Sequence, residues 1–264
     1  MMDALQRHPR NRGFEWQPMR GPFEILSAAQ ARQYDEMGYF LLSGAFSPAE
    51  MEAVIDAIDP FEREGERWLR EKHGGRFLIA KADAITFTVH LVSKSETLRA
   101  FSRHPVFAKI CGDTLGPRPR LYWDQAVYKK PGTREEFPWH QDNGYTYTEP
   151  QQYLTCWVAL NDATVDNGCP WVVPGLHRAG TLQHEATPLG WQCLRNPNGA
   201  VPVEARAGDI VVFSSLTPHR TGPNLTGSVR KSYILQYAGD GALAYPADSG
   251  GAVPQDDPVR QYLV

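Results

Sequence analysis

Asp209-Ile210-Val211-Val212-Phe213-Ser214-Ser215, followed by Leu216 and then Thr217-Pro218-His219-Arg220-Thr221, is the stretch from which the fold is read. Its apolar centre is too short for a buried helix, and Gly208 and Pro218 close it at either end. That is the signature of a buried strand running into a turn. Working outward, Leu121 to Tyr128, Tyr153 to Leu160, Trp171 to Pro174 and Lys231 to Tyr237 are further short apolar or alternating runs, punctuated by Gly, Pro, Asn and Asp. Gly at 23 and Pro at 21 of 264 residues suit a turn-rich β architecture better than a helical bundle.

The first half reads differently. Ser27 and Gln30 form a capping box that opens a helix to about Met37, and Tyr39 to Leu42 follow as a short strand. Ser47, Pro48 and Glu50 start a second helix, with Met51, Val54, Ile55 and Ile58 as its buried stripe. The charged residues from Glu62 to Lys72 continue as helix or exposed loop, and a further helical stretch covers about Ser95 to Leu115. Helices first and strands later, without βαβα alternation, argue against a doubly wound parallel sheet. The expectation is a mainly β fold with flanking helices: a jelly roll (double-stranded β-helix, cupin-like) with helices on one face. No linker is visible. Residues 1–26 read as an irregular, floppy extension over the surface, and 27–264 as a single catalytic jelly-roll domain.

Hydrophobic residues at 42%, charged residues at 22% and a net charge of −3 describe a globular chain, not a disordered one, a coiled coil or a fibre. The near-neutral balance gives no footprint for nucleic acid. Apolar runs such as Ile210 to Phe213 are far too short to span a membrane, and the first thirty residues hold no apolar leader core. Cys111, Cys156, Cys169 and Cys193 form no C-x-x-C pair and read as reduced, packed thiols of a cytoplasmic protein.

Of eight histidines, His140 stands out for its company in Trp139-His140-Gln141-Asp142. In an extended segment, residues two apart share a side, so His140 and Asp142 can reach one ion while Gln141 points away. The best third ligand is His219, just past a strand end. Two imidazoles and one carboxylate leave half of an octahedral shell open, as in non-haem Fe(II) oxygenases, whereas structural zinc would want a fourth protein ligand. On spacing alone, a turn-capping His140 and a His219 packed on Pro218 stay open. Arg230 begins the strand Arg230-Lys231-Ser232-Tyr233-Ile234-Leu235 and could offer a planar fork to a cosubstrate carboxylate. A surface arginine in a Gly-Ser-Val-Arg-Lys turn is the alternative.

These residues fall into a larger pattern. Lys130-Pro131-Gly132, Trp139 to Asp142, Trp157-Val158-Ala159-Leu160, Asp166 to His177, Gly208 to Phe213, His219 to Asn224 and Arg230 stand in order, and Tyr34 to Phe40 precede them. The chain resembles the phytanoyl-CoA dioxygenase family of Fe(II)/2-oxoglutarate-dependent oxygenases over about residues 27–240. The resemblance implies that His140, Asp142 and His219 bind Fe(II) and that Arg230 holds the far carboxylate of 2-oxoglutarate, assisted by the Thr221 hydroxyl. It matches Trp157 to the cosubstrate pocket and turns Gln125 into the same cavity, the outer face of its strand being the alternative. Asn224 shapes the turn before Arg230, Cys169 is structural, and His177 is a loop residue, a substrate contact being the alternative. The implied reaction consumes O2 and 2-oxoglutarate, releases succinate and CO2, and hydroxylates or otherwise oxidises a small to medium organic substrate. Asp142 fills the position that related halogenases leave small for chloride, which points to hydroxylation.

Tyr145, Tyr147, Trp191 and Tyr245 are candidate walls of the substrate site. Lys129, Lys130 and Arg134 could supply a cationic mouth for a coenzyme A ester, although three cations on a loop are usually a solvated face. The alternative function class is a cupin-like isomerase or hydrolase, or a ligand-binding jelly roll without 2-oxoglutarate.

Overall fold

The structure is a computed structural model and describes residues 5–72 and 74–264. Four helices, α1 (Ala28–Met37), α2 (Pro48–Lys72), α3 (Glu96–Phe101) and α4 (Pro105–Leu115), accompany a chain of mostly short strands. In order these are β1 (Tyr39–Leu42), β2 (Arg76–Phe77), β3 (Ala80–Lys81), β4 (Ile85–Val89), β5 (Pro119–Lys129), β6 (Tyr147–Glu149), β7 (Leu154–Ala159) and β8 (Pro170–Val172). Then come β9 (Glu185–Thr187), β10 (Gly190–Gln192), β11 (Val201–Pro202), β12 (Ile210–Ser214), β13 (His219–Thr221), β14 (Arg230–Gly239), β15 (Leu243–Tyr245) and β16 (Val253–Pro254).

An eight-stranded sheet runs β1-β12-β7-β14-β5-β4-β3-β2, antiparallel throughout, and faces a three-stranded sheet β11-β8-β13. This is the expected jelly roll. Its two faces follow from register, because directly opposed residues of antiparallel strands point to the same side. Val211 opposes Trp157, Trp157 opposes Ile234, and Ile234 opposes Gln125. Those four share the inner face, and Trp157, Ile234 and Val211 pack there with Val127, Phe213 and Val172 of the small sheet. The intervening Val212, Cys156, Leu235 and Ala126 point outward, into a core closed by Met51, Val54 and Ile58 of α2 and Phe107 and Ile110 of α4. The helices therefore seal one face, and the other encloses the inter-sheet space.

Three sequence expectations shift. The charged stretch after Ile58 is helix throughout, since α2 runs on past Pro60, and Glu62 and Glu66 are buried on it. The stretch from Ser95 to Leu115 divides into α3 and α4, because Pro105 cannot continue a helix and takes the first position of the next. Residues 5–26 are irregular but fastened. Asn11 is buried and donates to the carbonyls of Ala179 and Thr181 at 2.9 and 2.8 Å. Asp35 accepts from Trp16 Nε1, and Asp113 accepts from the backbone of Glu24, Ile25 and Leu26. Among the described residues, no helix is long and apolar enough to cross a membrane.

Candidate metal centre

His140, in the segment between β5 and β6, and His219, at the start of β13, meet through a two-way backbone bridge, His140 N to His219 O at 3.0 Å and His219 N to His140 O at 2.8 Å. Both side chains therefore leave the same side, with ring centroids 4.2 Å apart. Each ring donates Nδ1–H to the carbonyl two residues before it, His140 to Pro138 at 2.8 Å and His219 to Thr217 at 2.9 Å. That fixes the tautomer and leaves both Nε2 lone pairs for an ion. Asp142 opens a single 3-10 turn, and one of its oxygens stands 3.7 Å from His219 Nε2. Donor atoms of His140, Asp142 and His219 all lie within 4.8 Å of one another.

Burial sets the protonation. It pulls His140 down to about 3, with His219 as the second cause, and His219 down to about 4. Both rings are neutral at pH 7, the ligating form, so the His219–Asp142 approach is a meeting of two ligand atoms and not an ion pair. Burial also raises the Asp142 carboxyl, opposed by His140 and by the Thr155 hydroxyl, which donates to Asp142 Oδ2 at 2.5 Å. Gln236 Nε2 in turn donates to Thr155 Oγ1 at 3.3 Å. A divalent cation would reverse the burial effect on this carboxylate.

Gln141 points away from the ion, as the alternation requires, and is fully buried. Its amide donates to Gly180 O at 3.1 Å and Leu216 O at 2.5 Å and accepts from Leu182 N at 2.6 Å. Its own backbone N–H donates to His184 Nε2 at 2.9 Å. A Cβ on Gly144 would collide with the His184 ring, so only glycine fits there. His184 escaped the sequence reading because no local spacing links it to His140.

Arg230 is fully buried on the inner face. Nη1 donates to Val127 O at 3.2 Å and Ser232 Oγ at 2.6 Å, while Nε and Nη2 have no partner among the described residues. Orphaned, buried guanidinium donors are costly unless an acceptor completes them. The Trp157 ring lies 5.4 Å from Arg230 Cζ. Gln125 faces inward, opposite Ile234, and accepts from Trp123 Nε1 at 3.3 Å. Thr221 Oγ1 accepts from Lys129 Nζ at 3.4 Å. Two imidazoles, a carboxylate and an unsatisfied guanidinium on the same inner face fit an iron ion with a dicarboxylate cosubstrate.

The cationic mouth expected from Lys129, Lys130 and Arg134 does not form. Lys129 is fully buried, Lys130 pairs with Glu62 and Glu66, and Arg134 is exposed. Lys129 was placeable from sequence, since it shares the period-two face of Gln125. His177 is buried under the fastened extension, edge-on to Trp16 at 4.4 Å. Of the expected walls, Tyr145 sets its ring edge-on to His140 at 5.3 Å. Tyr147 instead stacks on His8, Tyr245 lies beneath Arg10, and Trp191 sits exposed in the β9–β10 hairpin. Phe137, 4.9 Å from the His140 ring, and Phe87 behind it form an apolar wall that the sequence did not disclose. Cys169 is buried, which pushes its thiol up to about 12 and leaves it structural. Asn224 bridges the carbonyls of Lys129 and Ser228, shaping the turn before Arg230.

Comparison with known proteins agrees with this geometry. The sequence profile of the phytanoyl-CoA dioxygenase (PhyH) family matches residues 34–232. Phytanoyl-CoA dioxygenase 1 of Oryza sativa subsp. japonica is 26% identical over 252 residues, covering 81% of this chain and 89% of its own. Methylphosphonate hydroxylase of Gimesia maris is 26% identical over 248 residues, covering 88% and 90%. In fold, the chain is similar to the non-haem alpha-ketoglutarate-dependent carbocyclase SnoK from nogalamycin biosynthesis, with a TM-score of 0.70 and 24% identity over 91% of this chain and 97% of that one. The chain belongs to the phytanoyl-CoA dioxygenase family and is a 2-oxoglutarate-dependent non-haem iron dioxygenase.

Proposed function

We propose that His140, Asp142 and His219 hold Fe(II), that Arg230 seats the far carboxylate of 2-oxoglutarate in a pocket lined by Trp157, Thr221 and Gln125, and that the enzyme hydroxylates a small to medium organic substrate with release of succinate and CO2. The observation that carries this reading is the pair of buried, partnerless donors Nε and Nη2 of Arg230. Bound iron would supply the O2 chemistry that couples decarboxylation of 2-oxoglutarate to oxidation of the substrate. The protein's share is to keep both imidazoles neutral, to hold the Asp142 carboxylate through Thr155, and to exclude water with Phe87 and Phe137.

Asp142 fills a ligand position that a chloride would otherwise need, which supports hydroxylation. The apolar wall at His140 supports a substrate that offers a hydrocarbon or ring face to the metal. The dispersed Lys129, Lys130 and Arg134 remove the support that sequence lent to a coenzyme A ester. We take 27–264 as one catalytic domain, with residues 16–19 of the extension tied to it through Asp35 of α1. Free Cys111, Cys156, Cys169 and Cys193 fit the reducing cytoplasm.

Anaerobic titration tests the reading. Fe(II) and 2-oxoglutarate added together should give the weak visible charge-transfer band of a chelated pair, and neither alone should. No band at saturating concentrations of both would overturn it. A substrate screen scored by succinate release above the uncoupled background would then identify the substrate.

A further inference from the structure

Lys129 and Arg230 are two fully buried cations directly opposite one another on neighbouring strands. Directly opposed side chains on one sheet face start from Cβ atoms about 5 Å apart, and the Arg230 charge acts on Lys129. The carboxylates around Lys129, those of Glu135 and Glu136, make no ion pair with it. Glu135 pairs with Arg76 and Lys81, and Glu136 with Arg220. Among the described residues, Lys129 Nζ donates to neutral oxygens, the carbonyls of Gly222 and Glu135 and the hydroxyl of Thr221. Burying two basic groups side by side with no carboxylate paired to either is costly unless an anion joins them.

We infer that Lys129 is a second anchor for the far carboxylate of 2-oxoglutarate, its ammonium and the Arg230 guanidinium sharing that group, with the Thr221 hydroxyl beside Lys129 Nζ. This rests on the cosubstrate reading above and extends it to a residue not previously placed there. Lys129 is a positioning and selectivity group and takes no part in bond making. With two cations at the far end, the pocket selects a full negative charge and not merely a hydrogen-bond acceptor.

The state of the free protein agrees. Burial, and next the Arg230 charge, pull Lys129 down to about 7. The other groups facing it are Glu135, Glu136, Arg220 and Arg230, and the Cys169 thiol lies beside Arg230. A carboxylate arriving between the cations would restore the ammonium, so cosubstrate binding takes up a proton once the pH exceeds about 7.

The experiment is calorimetric titration of the Fe(II)-loaded protein with 2-oxoglutarate under nitrogen, for wild type, Lys129→Met and Lys129→Arg. Lys129→Met should raise Kd by roughly tenfold to a hundredfold, since a charge-assisted hydrogen bond contributes about 1.5–3 kcal/mol. Lys129→Arg should recover part of the loss. Fe(II) affinity should stay within about twofold, well under the tenfold that about 1.4 kcal/mol represents. An analogue with an amide in place of the far carboxylate should bind wild type poorly and lose little more in Lys129→Met. The wild-type Kd should rise as pH climbs from 7 to 9, with proton uptake seen as a buffer-dependent heat, and that reading needs no variant to fold. If Lys129→Met binds 2-oxoglutarate within twofold of wild type, or the wild-type Kd is flat over that range, the inference fails while the cosubstrate reading stands. If wild type itself does not bind 2-oxoglutarate, it is the cosubstrate reading that fails.

Discussion

His140 and His219 are held together by their own backbones, each N–H donating to the other's carbonyl at 3.0 and 2.8 Å. The two segments that carry the imidazoles are thus zipped at the point where the ion would sit. Ring separation is set by the bridge, ring rotation by the Pro138 and Thr217 carbonyls, and neither waits for a metal. A site organised in this way should bind iron without large rearrangement.

Removal of any one ligand should therefore abolish tight iron binding without unfolding the chain. His140→Ala, Asp142→Ala and His219→Ala should each lose Fe(II) affinity by more than about a hundredfold, the upper end of what loss of an outer partner costs. Anaerobic calorimetry with Fe(II) and a far-UV melt on each variant check this. Wild-type affinity in one of them would remove that residue from the centre.

Thr155→Val keeps shape and removes the hydroxyl that donates to Asp142 Oδ2 at 2.5 Å. Iron affinity should fall by about tenfold, and turnover with it. An unchanged Fe(II) titration would mean that the carboxylate is oriented by its backbone alone.

Gln141→Ala strands three buried backbone groups, Gly180 O, Leu216 O and Leu182 N. Each unmatched buried group costs about 1–3 kcal/mol, so a stability loss of about 2–5 kcal/mol is expected after partial relaxation. Urea unfolding of the metal-free protein measures it. A loss under about 1 kcal/mol would show that the loop at 180–182 is held by other contacts.

Arg230→Ala should raise the KM for 2-oxoglutarate by roughly one to three orders of magnitude, because charge-assisted hydrogen bonds contribute about 1.5–3 kcal/mol each. Arg230→Lys keeps the charge without the fork and should fall between wild type and Arg230→Ala. Fe(II) affinity should barely move. A KM within about twofold of wild type, where about 1.4 kcal/mol would give tenfold, would place the anchor elsewhere.

Acid should destabilise the metal-free protein between pH 6.5 and 4. Burial holds His177, His184 and His219 down to about 4 and His140 to about 3, so all four are neutral in the folded chain. The unfolded chain takes up their protons as pH drops below the unperturbed value of about 6.5, and stability falls at up to about 1.4 kcal/mol per pH unit per histidine. Asp124 works in the opposite direction. Burial raises its carboxyl to about 6, so its protonation in the folded chain returns stability below that pH. Thermal melts from pH 7 to 4.5 should show a net fall steeper than one proton would give. A flat profile would mean that the imidazoles are charged in the folded state.

The sequence alone determined what is local and periodic. The capping box of Ser27 and Gln30, the apolar strand centred on Val211 and the same-side placement of His140 and Asp142 all follow from backbone geometry with repeats of 3.6 and 2.0 residues. The inward turn of Gln125 follows from the same alternation once its strand is given a face. Only the tertiary structure decided which distant segments share a space. It brought His219 onto His140 through a bridge, set His184 beneath Gln141, and fastened the extension through Asn11, which composition had left floppy. It also set Lys129 directly opposite Arg230. The physical reason is that strand pairing between remote segments depends on register and burial summed over the whole sheet, and no short window of sequence carries that sum.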